Sequence, residues 1–360
     1  MLKKAAALLF VGASLIMWVS CSNNSSSGRY VYAAIPNANQ ILAYREDPNS
    51  GILTALSTSP VAAGPTVQSL AMHPSGKFLY AANSGEGDVS LFTIAANGVL
   101  TESGSRIKVG APTPTILAID QAGTFLYVGN AGTNNVAIFS IDASSGTLTA
   151  VPNSPFPVGL SPLNLKVTSA GFLYVTGLGP TLTGGTIEVW SVSAVSTGSL
   201  TFVNAFQSGT NPNGLAISPD GSHLYTANTA DNSISEFSIG SDGNLTALNG
   251  SPIGESYSAP LSVAVESSGK FLYVSNEGSA NIAAYAIGSD GSLTLLTNSP
   301  FASASQPSFI GVDPKGNYIF VGNQSSPVIQ PFSLDPSAGT LTSVATYSVG
   351  NAATSIVITP

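Results

Sequence analysis

The chain has 360 residues, including 37 glycines and 23 prolines, and only 8% of its residues are charged. An average soluble domain has roughly 25% charged residues, so this composition excludes helical bundles and coiled coils. The 43% hydrophobic content excludes a disordered chain, and the net charge of −8 excludes a nucleic acid partner. One cysteine and two histidines leave no disulfide framework and no zinc cluster. We therefore expect a turn-rich, all-β protein.

Residues 1–20 predict an export signal. Lys3 and Lys4 precede an apolar run over residues 5–19, which is shorter than the roughly 20 residues that span a bilayer. Residues 18–21, Trp-Val-Ser-Cys, resemble a bacterial lipobox, in which the cysteine carries the lipid. We therefore expect cleavage after residue 20 and lipidation of Cys21. Ordinary secretion, with Cys21 incidental, remains the alternative.

Residues 21–28 predict a lipidated cysteine followed by a flexible tether. The run Ser-Asn-Asn-Ser-Ser-Ser-Gly has the composition of a flexible linker. A diacyl anchor gives stable membrane attachment where a single chain would not. We expect an extracytoplasmic lipoprotein, in the periplasm, at the outer membrane or at the cell surface. Its only contact with the membrane would be the lipid.

Seven internal repeats occupy residues 29–360. Each repeat contains a Leu-Thr pair and a short apolar segment centred on an aromatic residue, and these aromatics recur at intervals of 47 to 51 residues. The anchor aromatics are Tyr32, Tyr80, Tyr127, Tyr174, Tyr225, Tyr273 and Phe320. In six repeats a second aromatic follows twelve positions later. Such self-similarity indicates one architecture built from seven copies of one unit.

Each repeat predicts four short strands separated by glycine-containing turns. In the fifth repeat, an apolar strand precedes the turn Pro219-Asp220-Gly221, which leads into the anchor strand. Four-stranded units arranged around an axis form a β-propeller. The chain begins with a second strand and ends, at 354–360, with a first strand, so each end completes the other's blade and leaves no free edge. We predict an all-β, seven-bladed propeller of four-stranded antiparallel blades, closed by the C-terminal strand.

The segment from Pro219 to Tyr225, Pro-Asp-Gly-x-x-Leu-Tyr, and the Leu-Thr marker resemble the lactonase-type seven-bladed propellers. That group contains bacterial 6-phosphogluconolactonase and carboxymuconate-cyclising enzymes, and the resemblance covers roughly residues 29–360. It implies hydrolysis of a sugar lactone. It also implies three site elements: an Arg-His pair at the start of a first strand, a glutamate after a second strand, and a Gln-Pro-Arg segment.

This chain departs from that pattern. It has no Arg-His pair at the start of any first strand, and Ser308 follows Gln306-Pro307 where the arginine would stand. Asn276-Glu277 matches the glutamate locally, one blade before Gln306. Because the basic residues that would hold a carboxylate or phosphate are missing, we expect a binding module rather than an enzyme. Lactone hydrolysis, with Glu277 or Glu86 activating a water, is the alternative.

In a propeller, the loops between second and third strands lie on one face, here called the top face, and the turns between first and second strands lie on the bottom face. His73 and His223 fall at bottom turns, where we expect solvated residues. An asparagine recurs in the top loops, at Asn83, Asn130, Asn228, Asn276 and Asn323. We expect these asparagines to bond their own loop backbone. A ring of oxygen ligands for Ca²⁺ is the alternative. We otherwise expect no metal and no cofactor.

Lys166 occupies a first-strand position that holds alanine or glycine in other blades. A lysine near the axis could bind an anion in the central channel, or extend its ammonium group into channel water. The further ligand-binding candidates lie at the starts of first strands, in a top loop and after an enlarged loop over 177–186: they are Gln68, Asn164, Asn213, Asp231 and Trp190.

The sequence therefore favours a monomeric binding module that recognises a protein, a glycan or a small molecule through its top loops. A hydrolase of a sugar lactone is the second hypothesis. A purely structural surface protein is the third.

Overall fold

The computed structural model describes residues 28–110, 113–179, 184–193 and 198–360. The predicted leader and Cys21 lie outside the described residues. The chain forms seven antiparallel sheets, each built on four principal strands, which confirms the predicted propeller. No helix within the described ranges is long and apolar enough to cross a bilayer.

Blades are numbered in chain order, and within each blade the strands run outward from the axis. Blade 1 consists of β1 (Arg29–Ile35), β2 (Gln40–Glu46), β3 (Leu53–Ala55) and β4 (Val61–Ala62), with a 3-10 turn at Pro36–Ala38. Blade 2 consists of β5 (Val67–Met72), β6 (Phe78–Asn83), β7 (Asp88–Ile94), β8 (Leu100–Glu102) and β9 (Ile107–Lys108). Blade 3 consists of β10 (Pro114–Ile119), β11 (Phe125–Asn130), β12 (Asn135–Ile141), β13 (Leu148–Ala150) and β14 (Phe156–Pro157). Blade 4 consists of β15 (Ser161–Val167), β16 (Phe172–Leu178), β17 (Gly185–Val192) and β18 (Leu200–Gln207).

The remaining three blades follow the same order. Blade 5 consists of β19 (Pro212–Ile217), β20 (His223–Asn228), β21 (Ser233–Ile239), β22 (Leu245–Ala247) and β23 (Ile253–Gly254). Blade 6 consists of β24 (Pro260–Val265), β25 (Phe271–Asn276), β26 (Asn281–Ile287), β27 (Leu293–Leu295) and β28 (Phe301–Ala302). Blade 7 consists of β29 (Pro307–Val312), β30 (Tyr318–Asn323), β31 (Val328–Leu334), β32 (Leu341–Ser343) and β33 (Tyr347–Ser348). The last strand is β34 (Ser355–Ile358).

The C-terminal strand closes the ring as predicted. β34 pairs with β1 in an antiparallel register that runs from Val31 opposite Ile358 to Ala34 opposite Ser355. The side chains of Val31 and Ala33 are fully buried beneath this pairing. β34 therefore supplies the innermost strand of blade 1, and the start of β1 and the end of β34 meet at the bottom face.

The fourth strand of most blades is interrupted, a feature absent from the predicted four-stranded repeat. In six blades it consists of two short pieces that both pair with the third strand. In four blades a Ser-Pro dipeptide lies between the pieces, and its serine hydroxyl accepts a hydrogen bond from a third-strand N–H, as between Ala43 N and Ser59 Oγ at 3.0 Å. The Ser-Pro pairs that recur in these blades are the feature of the sequence that could have predicted the interruption. Blade 4 instead has one continuous strand, β18.

Neighbouring blades are joined by the anchor tyrosines. In five blades the tyrosine hydroxyl donates a hydrogen bond of 2.7 to 2.9 Å to the carbonyl of a turn glycine in the next blade. The pairs are Tyr32 with Gly98, Tyr80 with Gly146, Tyr174 with Gly243, Tyr225 with Gly291, and Tyr273 with Gly339. A buried tyrosine needs such a partner for its hydroxyl. In these five blades the anchor tyrosine therefore connects neighbouring blades as well as packing in the core.

The turn glycines are required by both conformation and space. Gly98 has a φ of +79°, and a Cβ at this position would lie 2.1 Å from the ring of Tyr30. A left-handed backbone conformation favours glycine, and the aromatic ring occupies the space of a side chain. Contacts of this kind make each hydrophobic cluster a layer shared by two blades, as where blade 2 packs on blade 3.

A buried group of three charged residues lies at the bottom face beside the closing strand. Arg29, Glu46 and Asp313 are all nearly inaccessible to solvent, and the guanidinium of Arg29 forms ion pairs with both carboxylates. Asp313 also accepts hydrogen bonds from the backbone N–H groups of Lys315 and Asn317, at 3.1 and 3.2 Å. Within the described residues neither carboxylate oxygen of Glu46 has a hydrogen-bond donor. The group joins blade 7 to blade 1.

Buried carboxyl groups predict that the protein is most stable at mildly acidic pH. Burial raises the pKa of Glu46 to about 7, against the opposing effect of Arg29, and burial also raises the pKa of Glu255 to about 7. An unfolded glutamate titrates near pH ~4.3, so between these values the folded state binds more protons than the unfolded state. The free energy of unfolding therefore falls as pH rises towards 7. We expect the Tm to be a few degrees higher at pH 5 than at pH 8.

Other residues determine the pH below which acid destabilises the protein, and they supply the control for this prediction. Hydrogen bonds from the hydroxyls of Ser218 and Ser222 hold the pKa of Asp220 at about 2, so destabilisation by acid should begin only below pH ~4. Glu46→Gln should remove part of the difference in Tm. Glu277→Gln, in a half-buried top loop, should leave it unchanged. A Tm that rises from pH 5 to pH 8 would contradict the prediction.

Candidate functional site

The innermost strands of the seven blades surround a central channel. These strands are β34, β5, β10, β15, β19, β24 and β29, and the cavity that they enclose has a volume of about 850 Å³. Ligand pockets commonly measure roughly 300–1,000 Å³. The channel is therefore large enough for a molecule of monosaccharide size together with water.

The upper end of the channel is shaped by a recurring β-bulge. In six blades the register between the first and second strands shifts by one residue near the top of the first strand. The extra residue in each blade lines the channel, and together these residues are Gln68, Thr115, Leu163, Asn213, Leu261 and Ser308. A bulge re-aims a side chain that a regular strand would place against the neighbouring sheet. We call these six residues the rim.

Two of the predicted ligand-binding residues belong to this rim. Asn213 Nδ2 donates to Thr229 Oγ1 at 2.8 Å, and Thr229 Oγ1 donates to Pro260 O at 2.7 Å, so the amide is held in a fixed orientation. The side chain of Gln68 is half-buried and has no hydrogen-bond partner in the part of the chain that the structure describes. Gln68 therefore offers the rim a free amide with both a donor and an acceptor.

Asn164 lines the channel but is engaged in joining blades. Its Nδ2 donates to Asn213 O at 2.9 Å, and its Oδ1 accepts from Leu165 N at 2.9 Å. Serines at the equivalent position of three other blades also connect neighbouring blades, because their hydroxyls accept a hydrogen bond from a backbone N–H of the next blade. The structure thus places Asn164 in the channel wall, with its amide already hydrogen-bonded.

Lys166 reaches the channel as predicted. It lies opposite the anchor aromatic Tyr174, and alanine or glycine holds this position in blades 2, 3, 5, 6 and 7. The side chain is exposed to channel water but surrounded by the walls, and this partial desolvation lowers the pKa of Lys166. No ion pair or hydrogen bond to its ammonium group occurs among the described residues.

The two predicted catalytic glutamates do not line the channel. Glu277 follows β25 in a top loop and is half-buried. Glu86 lies in the top loop of blade 2, where its Oε2 is 3.6 Å from Arg106 Nη1 and its side chain is 48% exposed. A general base must reach its substrate directly or through one water. The structure brings neither carboxylate to the rim.

Asp231 and Trp190 also lie away from the channel. The two carboxylate oxygens of Asp231 accept hydrogen bonds from Thr210 N, at 2.6 Å, and Ser233 Oγ, at 2.7 Å, in a smaller cleft of about 370 Å³. Trp190 lies opposite Leu173, where other blades carry their second aromatic, and its ring packs edge-on against Phe202 at 5.2 Å. Asp231 therefore makes contacts near its own loop, and Trp190 makes packing contacts within its blade.

Both histidines differ from the prediction of solvated turn residues. His73 is 6% exposed, its Nε2 lies 3.1 Å from Gly123 O, and its ring packs edge-on against Phe78. His223 is half-buried and lies against Gly291, where a Cβ would come within 2.0 Å of its ring. His223 takes the place of the aromatic that contacts a turn glycine in other blades. Both histidines lie at bottom turns as predicted, but their exposure to solvent was wrongly predicted, because the sequence does not show which turns a neighbouring blade covers.

The recurrent asparagines are fully buried within their blades. In four of them Nδ2 donates to the side chain five residues later, as from Asn130 to Asn135 Oδ1 at 2.7 Å. Only Asn323 bonds backbone carbonyls instead, at Val321 O in β30 and at Val328 O where β31 begins. The expected backbone bonding is thus wrong for four of the five. Their amides join the two ends of a top loop and do not gather at one site.

The predicted enlarged loop of blade 4 is partly strand. Gly177 and Leu178 extend β16, Gly185 and Thr186 extend β17, and these residues pair with each other. Residues 180–183 lie outside the described residues. The hairpin is therefore longer than its counterparts, and Leu178 at its end is 48% exposed.

The chemistry available in the channel is that of amides, hydroxyls and one amine. Its described lining contains no aspartate, glutamate, histidine or arginine, and Lys166 is its one charged residue. No group of three or more histidine, cysteine, aspartate or glutamate residues in the described ranges could hold a metal ion. The walls can donate and accept hydrogen bonds, and Lys166 can attract a negative charge.

A ring of seven four-stranded blades around a central channel defines a seven-bladed β-propeller. The chain belongs to the lactonase family of seven-bladed β-propellers, whose sequence profile matches residues 68–161, 172–264 and 254–358. No curated protein matches the chain in sequence.

Solved structures share the fold at low sequence identity. A candidate 6-phosphogluconolactonase of Bacteroides fragilis superposes with a TM-score of 0.78 at 20% identity, over 94% of this chain and 99% of its own. A second candidate 6-phosphogluconolactonase, from Bacteroides uniformis, gives 0.80 at 18% identity, over 92% and 99%. The periplasmic gluconolactonase of Pseudomonas aeruginosa gives 0.78 at 18% identity, over 93% and 99%. At these identities the likeness establishes the fold.

Proposed function

We propose that this protein is an exported, lipid-anchored binding module that takes a small polyhydroxylated molecule into its central channel. The observation that carries the proposal is the chemistry of the channel walls. The cavity of about 850 Å³ presents amides, hydroxyls and the amine of Lys166 among apolar side chains, and no carboxylate or imidazole of the described chain reaches it. Amides and hydroxyls recognise hydroxyls by hydrogen bonding but supply no general base with a pKa near neutrality.

The position of the N-terminus supports an anchored arrangement. β1 begins at Arg29 on the bottom face and runs towards the top face, so a tether from Cys21 would attach to the bottom. The rim would then face away from the membrane. The leader and the similarity to a periplasmic gluconolactonase both support an extracytoplasmic location.

Lactone hydrolysis is the second candidate function, and membership of the lactonase family supports it. Hydrolysis needs a group that activates water near the bound ring. Glu277 and Glu86 would have to act from outside the channel. A hydrolase that uses either glutamate therefore requires that the lactone binds at the top loops.

One comparison of hydrolysis with binding separates the two functions. Soluble protein beginning at Ser22 is incubated with a panel of sugar lactones, with and without Ca²⁺, and acid release is followed at neutral pH. The same protein is titrated calorimetrically with the corresponding sugars and sugar acids. We expect no acid release above the spontaneous rate and saturable binding of at least one probe.

The free amide of the rim supplies the variant for this test. Gln68→Ala should weaken the bound probe by about 5-fold, the effect of losing one hydrogen bond. Gln324→Ala is the matched control, because Gln324 is exposed in a top loop and does not line the channel. Turnover that disappears in Glu277→Gln would establish the hydrolase and overturn the binding proposal. An absence of binding across the panel would also overturn it.

A further inference from the structure

The charge of Lys166 has no counterpart in the channel. Its ammonium group forms no ion pair within the described residues, and the described lining provides no carboxylate that could approach it. A charge removed from bulk water is normally compensated by a partner. In this channel a compensating negative charge could come only from solution.

Three other blades leave room in the channel for such a group. At the same level of the channel, Ala216, Ala264 and Gly311 hold the equivalent position, opposite their own anchor aromatics. All three line the cavity. Small side chains on three other blades leave space beside the ammonium group for a carboxylate-sized anion and water.

Lysine at this position is not explained by packing. Alanine satisfies the equivalent position in four blades, and the alanines at 71, 118 and 216 are nearly fully buried there. A lysine pays side-chain entropy and partial desolvation that alanine avoids. Desolvation lowers the pKa of Lys166 with no opposing contribution from a charged neighbour. A bound anion would supply that contribution.

We infer that Lys166 forms an anion site within the channel, so that the channel selects a small molecule carrying a carboxylate or a comparable oxyanion. The site deepens the proposed function, on which it rests for the polyhydroxylated part of the ligand. The overall charge of −8 repels anions at long range, but surface charges are screened over roughly 8–10 Å at physiological ionic strength. Within the channel the nearby ammonium group of Lys166 therefore has more effect on a bound anion than the net charge of the protein.

The direct test observes the lysines themselves. Five lysines lie beyond the leader, at positions 77, 108, 166, 270 and 315. In protein beginning at Ser22 and labelled with ¹³C at lysine Cε, the signal missing from Lys166→Met is assigned to Lys166. Acetate, phosphate and D-gluconate are titrated separately, at constant ionic strength. We expect at least one anion to shift the Lys166 signal saturably and to leave the other four in place.

Paired variants then measure the contribution to binding. Lys166→Met should weaken D-gluconate by about tenfold or more, because a charge-assisted contact is lost, and should leave neutral D-glucitol unchanged. Lys77→Met, at an exposed bottom turn, should change neither affinity. Lys166→Met should also fold, with an unchanged or higher Tm, since it removes a partly desolvated charge.

The outcomes separate the anion site from the proposed function. If acetate or phosphate shifts Lys166 but neither D-gluconate nor D-glucitol binds, the anion site stands and polyhydroxylated binding fails. If D-gluconate and D-glucitol bind equally in the native protein and in Lys166→Met, the binding module stands and the anion site is overturned. A Lys166 signal that does not move with any of the three anions also overturns it.

Discussion

Arg29→Met is expected to destabilise the propeller by about 3–5 kcal/mol, the cost of breaking a buried ion pair by removing one partner. Arg29 is the cation that approaches both Glu46 and Asp313, and the three side chains are at most 5% exposed. Without it, two carboxylates remain side by side without solvent. Chemical denaturation of protein beginning at Ser22, at pH 8, above the raised pKa of Glu46, would measure the loss.

The control for this prediction lies on the neighbouring strand. Arg45 is exposed on β2, next to Glu46 in sequence, and Arg45→Met should change stability by less than about 0.5 kcal/mol. The double variant Arg29→Met with Glu46→Gln should recover part of the loss, because one buried negative charge is removed. If Arg29→Met were as stable as Arg45→Met, the buried group would not hold blade 7 to blade 1.

The closure of the ring could be predicted from the sequence, but this ion pair could not. Seven repeats and two incomplete ends fix the number of blades and the pairing of first and last strands, because every repeat carries the same markers. Arg29 and Asp313 are 284 residues apart. Aspartate also holds the equivalent position in blade 3, as Asp120, but blade 1 alone has arginine at the position of Arg29. A contact that depends on one unrepeated residue leaves no periodic signal.

The candidate site likewise contains residues that could be predicted from the sequence and residues that could not. Lys166 was identifiable because it breaks a pattern of alanine and glycine, and the strand pairing confirms its equivalence with them. The rim was only partly identified, since a bulge changes the direction of a side chain without changing its residue type. Glu277 and Glu86 were chosen by residue type and face, and neither criterion specifies distance from the axis. That distance depends on how far each loop extends over its blade.

Deletion of residues 354–360 is expected to abolish cooperative folding. The deletion removes β34, leaving the inner edge of β1 unpaired and exposing Val31 and Ala33. It also removes Ile356 and Ile358, whose burial contributes roughly 1.5–3 kcal/mol each, and the bond from Leu70 N to Ser355 Oγ. Deletion of Pro360 alone, an exposed residue, is the matched control and should leave thermal unfolding unchanged.

A circular permutant distinguishes the loss of the strand from the loss of its connection. If the chain is opened between Gly350 and Asn351 and Pro360 is joined to Gly28 by a short linker, β34 and β1 become a covalent hairpin. Thr359 N already donates to Tyr30 O at 2.9 Å, so the two ends are close enough to be linked. We expect the permutant to unfold cooperatively with a Tm near that of the native chain. It should also refold faster, because contacts between distant ends of the chain become local ones. An unfolded permutant would mean that closure depends on the original order of the strands.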